Sequence, residues 1–137
     1  MAIVQGQTTS FKAELYQGVH NLVSDTIKIA LYTGAANLNL ATTVYSTTNE
    51  VVATGYTAGG NTLTGTTINT SGYTAYVNFA NTSWSSALTA RCALIYNASK
   101  GNKAIAVIDF GADKTSTTTF PVTMPANTST TALIRSA

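Results

Sequence analysis

Between Arg91 and Lys114 the chain reads RCALIYNASKGNKAIAVIDFGADK, with two apolar runs, Cys92–Tyr96 and Ala104–Phe110, around a polar segment, Asn97–Lys103, that carries Ser99, Gly101 and Asn102. Runs this short, rich in Ile, Val, Tyr and Phe and parted by a Gly/Asn loop, predict a β-hairpin. Neither run alternates cleanly between apolar and polar. Strand side chains alternate between faces, so Leu94 and Ile95 point opposite ways, as do Val107 and Ile108. A strand apolar on both faces is covered on both, which places this pair inside a sheet rather than at its edge. The expected core is Leu94, Ile95, Ile105, Val107 and Phe110.

The rest of the chain is built around that pair. Ser10–Val23 is the one stretch with helical spacing: Phe11, Leu15, Val19 and Leu22 make an apolar stripe, and Thr9 or Ser10 can cap its start. Gly18 inside it weakens the helix by up to about 1 kcal/mol. Residues 1–9 read as an arm. From Asp25 the period becomes two, with Ile27, Ile29 and Leu31 opposed to Thr26 and Lys28. A loop, Thr33–Thr48, leads to a short strand, Glu50–Thr54, and a Gly-rich turn, Gly55–Gly60. Extended segments follow at Thr62–Ile68, with a bulge expected at Gly65, then at Tyr73–Phe79, Thr117–Thr123 and Thr131–Arg135; Pro121 restricts its strand to an edge or bulge. About eight short strands at roughly ten-residue intervals predict an all-β, mainly antiparallel fold. The expectation is one β-sandwich or jelly-roll-like domain over residues 1–137, with a single N-terminal helix at 10–23. Composition agrees: only 9% of residues are charged, while threonine fills 26 of 137 positions. Thr is β-branched, suits strands, and keeps an exposed face wet without charge.

The titratable inventory predicts no catalytic, cofactor-binding or metal-ligating residues. His20 is the single histidine, and on a continuous helix it lies nine positions from Phe11, opposite the apolar stripe, as a polar-face or interface residue. Cys92, alone in an apolar run, reads as a buried small hydrophobe. One His and one Cys cannot make a His/Cys metal site. Asp109 and Asp113 flank Gly111 and could grip Ca²⁺ with loop carbonyls; the preferred reading has Asp109 bonded to nearby N–H groups or paired with Lys103 or Lys114, and Asp113 in a turn. Lys100 and Lys103 around Gly101 lack P-loop spacing and read as a solvated hairpin tip. Asn69, Asn81, Asn97 and Asn127 match N-x-[ST], which a Ser/Thr-rich chain produces by chance. The net charge of +2 is dispersed, leaving no footprint for nucleic acid. With no basic, apolar leader and no run of 18 apolar residues, the expectation is synthesis in a cytoplasm, without a signal peptide or membrane span. Among the aromatics, Tyr56, Tyr73 and Trp84 are candidates for stacking on a sugar.

Three stretches, FKAELYQGVHNLVSDTIKIALYTGAANLN (Phe11–Asn39), YSTTNEVVATGYTAGGNTLTG (Tyr45–Gly65) and ARCALIYNASKGNKAIAVIDFGADKTS (Ala90–Ser116), resemble a family of small virion structural proteins of tailed bacteriophages. The similarity runs through a helix, SDTIKIALYT, GYTAGGNTL and the hairpin, from about Phe11 to Ile134. It implies a virion structural protein of either the capsid or the tail; the preferred expectation is a non-enzymatic protein that decorates or cements a capsid as a homo-oligomer, a trimer in the simplest case, in contact with the major capsid protein. It brings no catalytic residue to this chain. The other reading is a tail- or fibre-associated adhesin that binds a glycan through Tyr56, Tyr73 and Trp84.

Overall fold

The computed structural model describes residues 3–136. In chain order its elements are β1 (Gly6–Gln7), α1 (Thr9–Tyr16), β2 (Ile27–Tyr32), β3 (Asn61–Thr62), β4 (Thr67–Ser71), β5 (Thr74–Asn78), β6 (Thr82–Trp84), β7 (Thr89–Asn97), a 3-10 turn (Ala98–Lys100), β8 (Lys103–Thr115), β9 (Phe120–Val122) and β10 (Ile134–Ser136). The strand pairings are antiparallel and form a five-stranded sheet, β1-β8-β7-β2-β3, a three-stranded sheet, β10-β5-β4, and a two-stranded sheet, β6-β9. This is an all-β, sandwich-like arrangement with one short helix.

The β7–β8 hairpin occupies the interior of the five-stranded sheet, as two-sided apolar strands require. Leu94 pairs with Val107 and Ile95 with Ala106, but Tyr96 pairs with Ala104, so Ile105 is an extra residue in a bulge. The bulge resets the alternation. Ile105 and Ala106 both join one core cluster, while Ala104 and Val107 join the other. On the first face, Ile27, Ile29, Leu31, Ala93 and Ile95 pack with Phe11 of α1 and with Phe79, Trp84, Phe120, Val122 and Ile134 from the smaller sheets and their flanks. On the second, Ala30, Tyr32, Cys92, Leu94 and Tyr96 are covered by Ala36, Leu38 and Tyr45 from the long connection after β2. Leu94, Ile95, Ile105 and Val107 are buried as expected; Phe110 is only half-buried, packed against the rim of the first cluster.

The helix is shorter than its periodicity suggests. It is capped by Thr8 rather than Thr9 or Ser10: the Thr8 hydroxyl accepts from the Phe11 N–H at 3.2 Å. It ends at Tyr16 because Gly18 turns into the left-handed region, φ +72°. Gly18 N–H then donates to the Leu15 carbonyl at 3.2 Å and Val19 N–H to the Glu14 carbonyl at 3.0 Å, a Schellman closure. Gly18 is thus the stop of the helix, not a weak point inside it, and Val19, His20 and Leu22 lie in the loop beyond.

Other boundaries shift as well. The expected arm contributes β1, a short edge strand on β8. Glu50–Thr54 holds only isolated bridges, Tyr32 to Glu50 and Ala53 to Tyr56, instead of a strand. Gly65, φ +64°, separates β3 from β4 outright, so the expected bulge is a break in the strand. Tyr73 falls in the turn before β5.

Candidate functional site

The expected site residues do not converge. The Cys92 thiol is buried and its pKa is pushed up to about 11, chiefly by burial and further by the nearby Asp109 charge. Asp109 accepts from the Gly111 N–H at 2.8 Å and pairs with Arg91 at 3.3 Å, not with Lys103 or Lys114. Lys103 instead approaches Glu14 at 3.7 Å, and the Lys114 ammonium sits 5.3 Å from the Phe110 ring centroid. Lys100 is tied to Asp25 at 3.1 Å while its side chain stays open to solvent. Among the described residues, no group of three or more His, Cys, Asp or Glu side chains is gathered as a metal site would require. No helix among them is long and apolar enough to cross a membrane. Asn97 is fully buried, which withdraws it as a modification acceptor.

The aromatic triad does not form a surface platform. Tyr56 and Trp84 are buried, with ring centroids 5.8 Å apart, and Trp84 continues to Phe120 at 6.4 Å. Only Tyr73 is exposed, and it is wholly so.

Two buried polar centres were not evident from the residues alone. The first is Glu50. One carboxylate oxygen accepts from Tyr45 O–H at 2.6 Å; the other accepts from Tyr56 O–H at 2.6 Å and Gly59 N–H at 2.8 Å. Tyr56 oxygen in turn accepts the Leu31 N–H at 2.8 Å, and Tyr96 O–H donates to the Gly59 carbonyl at 2.6 Å. The chain from 45 to 60 is thereby fastened to β2 and β7. Burial, then the Glu50 carboxylate, holds the Tyr45 and Tyr56 hydroxyls well above the usual phenol range. A lone carboxylate beside two valines, with tyrosines on either side and a Gly-rich turn after it, was the available signal.

The second centre is His20, whose side chain is fully buried instead of lying on a polar face. Its ring packs on Phe11 at 5.0 Å between centroids. The helical wheel misplaced it because the helix stops four residues earlier. Nε2 donates to Glu14 at 2.8 Å and Nδ1 accepts from the Asn97 amide at 2.9 Å.

The features left open to solvent lie elsewhere. All five residues of β4 are exposed, and its outer edge has no partner strand among the described residues. Ile68 on β4 is more than half exposed, and Tyr73 caps the β4–β5 turn. Thr67–Asn78 carries no charged residue. Between this sheet and the α1 region runs an apolar cleft of about 260 Å³, lined by Leu15, Leu22, Ile68, Ala75, Val77 and Ile134 among others. The five-stranded sheet, by contrast, ends on two-residue strands at both edges. Short edge strands discourage further pairing, and a longer, neutral one invites it. The β4–β5 hairpin is therefore the candidate interaction surface.

Comparison with protein-family models, curated proteins and solved structures returns no match.

Proposed function

We propose that this chain is a non-enzymatic structural component of a tailed-bacteriophage virion, a capsid decoration or cement protein that works as a homotrimer seated on the major capsid protein. The observation that carries the reading is β4: five exposed, uncharged residues on an unpaired edge, next to an apolar cleft and a wholly exposed tyrosine. Such a strand on a free monomer is an aggregation hazard, and burial between symmetric copies removes it. A ring of three suits the three-fold and quasi-three-fold positions of a capsid. Added buried area between correctly spaced capsomers then stabilises the shell without chemistry. The sequence resemblance supports the same reading. The glycan adhesin needs Tyr56, Tyr73 and Trp84 on one surface, and only Tyr73 is there.

Size-exclusion chromatography with light scattering, followed by co-sedimentation with empty capsids, tests both halves. A trimer that pellets with capsids is the expected result. A strict monomer that ignores capsids but is retained on a glycan column overturns it.

A further inference from the structure

We propose that His20 is an acid-sensitive latch between the loop that follows α1 and the tip of the β7–β8 hairpin, released when its Nδ1 takes a proton. The imidazole is fully buried and bonded on both nitrogens. Asn97 presents its amide nitrogen, which can only donate, so Nδ1 must be the acceptor and Nε2 carries the hydrogen given to Glu14.

Asn97 cannot turn over to suit a protonated ring. Its amide nitrogen also donates to Asp25 at 2.8 Å, and its oxygen accepts the Ser99 N–H at 3.0 Å, capping the 3-10 turn. A flip sets oxygen against the Asp25 carboxylate and abandons Ser99. A proton on Nδ1 therefore meets a donor whose alternatives are already committed. Glu14, 2.8 Å from Nε2, supplies the opposite charge that a buried imidazolium needs, so the proton is accommodated at the cost of the Asn97 contact.

The charged groups around the ring are Glu14 on α1, Asp25 in the loop, Lys100 in the 3-10 turn and Lys103 at the start of β8. The cleft residues from β4, β5 and β10 are uncharged. Asp25 stays ionised well below neutrality: the Asn21 N–H first, then Asn97 and Lys100, hold its pKa near about 2. Histidine ordinarily titrates between about pH 5 and 8. A proton on Nδ1 is what changes the fit, because Asn97 has no acceptor free to meet it. His20, Asn21 and Leu22 line the apolar cleft, so release of the latch reshapes the wall that faces β4 and β5. The latch stands apart from the assembly proposed above.

The chain has one histidine, so a ¹⁵N-imidazole spectrum is unambiguous. The expected result is the Nε2–H tautomer at pH 8 and a doubly protonated ring at pH 5. The Asn21 and Ser99 amides, bonded to Asp25 and Asn97, should then exchange about tenfold faster after correction for intrinsic rates. The Leu94 and Val107 amides should not change, and His20→Gln should abolish the loop response. An Nδ1–H tautomer at pH 8, a ring still neutral at pH 5, or loop amides indifferent to its protonation overturns the latch. So does a response that persists in His20→Gln. The wild-type spectrum decides even if that variant does not fold.

Discussion

Glu50 shows how much a single buried carboxylate organises when its lone pairs are filled. Two phenols and a backbone N–H converge on it, and the Tyr56 hydroxyl and Gly59 N–H would be buried donors without this acceptor. Glu50→Gln replaces one acceptor oxygen with an amide NH₂ facing a donor, and should cost about 2–4 kcal/mol in urea unfolding at neutral pH. A midpoint within error of wild type would remove Glu50 from this role. The same cluster predicts alkaline behaviour. Burial, then Glu50, raises the Tyr32, Tyr45 and Tyr56 hydroxyls, and burial lifts Tyr96 to about 12. A phenol with a folded pKa above its unfolded value of about 10 binds its proton more tightly in the native state. The associated stability is complete below pH 10 and is lost as pH rises through the folded values. Tyrosinate absorbance should therefore show these four of the seven tyrosines resisting ionisation until the chain unfolds. At the other end of the scale, the depressed Asp25 pKa contributes stability that is present above about pH 4 and lost as pH falls towards 2. The melting-temperature gap between wild type and Asp25→Asn should close over that interval.

Elements differ in how openly the sequence displays them. The β7–β8 hairpin is legible because its strands are apolar on both faces, a pattern that only an interior position explains. Val107→Asp should bury an unpaired charge and cost about 3–5 kcal/mol; soluble protein with an unchanged melting temperature would reject the hairpin as core. The helix start and its first apolar contact, Phe11, are legible too, but its end is not. The apolar residues continue at helical spacing past Gly18, so periodicity runs on where the backbone turns. Only the pairing of Gly18 with a following apolar Val19 signals the Schellman stop. His20 was misplaced for that reason alone. The segment from Val44 to Gly60 is illegible for another reason: it is held by Glu50 and by isolated bridges instead of a ladder, so it has no period. Its fit is nonetheless close. A Cβ at Gly60, where φ is +76°, would overlap the Ile29 carbonyl oxygen. Gly60→Ala should therefore cost about 2–4 kcal/mol by thermal melting, through displacement of a backbone turn against β2.

At the scale of the whole molecule, burial and exposure are unevenly shared. One large sheet is covered on both faces and ends in short edges, while the small β10-β5-β4 sheet leaves a full-length neutral edge in solvent. A chain with 9% charged residues and a net charge of +2 has little repulsion to keep such edges apart. The proposed self-association through β4 and the β4–β5 turn would resolve this, and it predicts a separation of assembly from folding. Ile68 and Tyr73 have few contacts to lose, so Ile68→Lys and Tyr73→Ser should change monomer stability by no more than about 0.5 kcal/mol. A lysine on the edge strand opposes like charge on a neighbouring copy and blocks pairing. Light scattering should then show oligomer for wild type and monomer for the double variant. Linkage supplies a second reading: the wild-type melting temperature should rise with protein concentration, and the variant's should not. If the double variant remains oligomeric with the same concentration dependence, the interface lies on another face and β4 is a solvated edge.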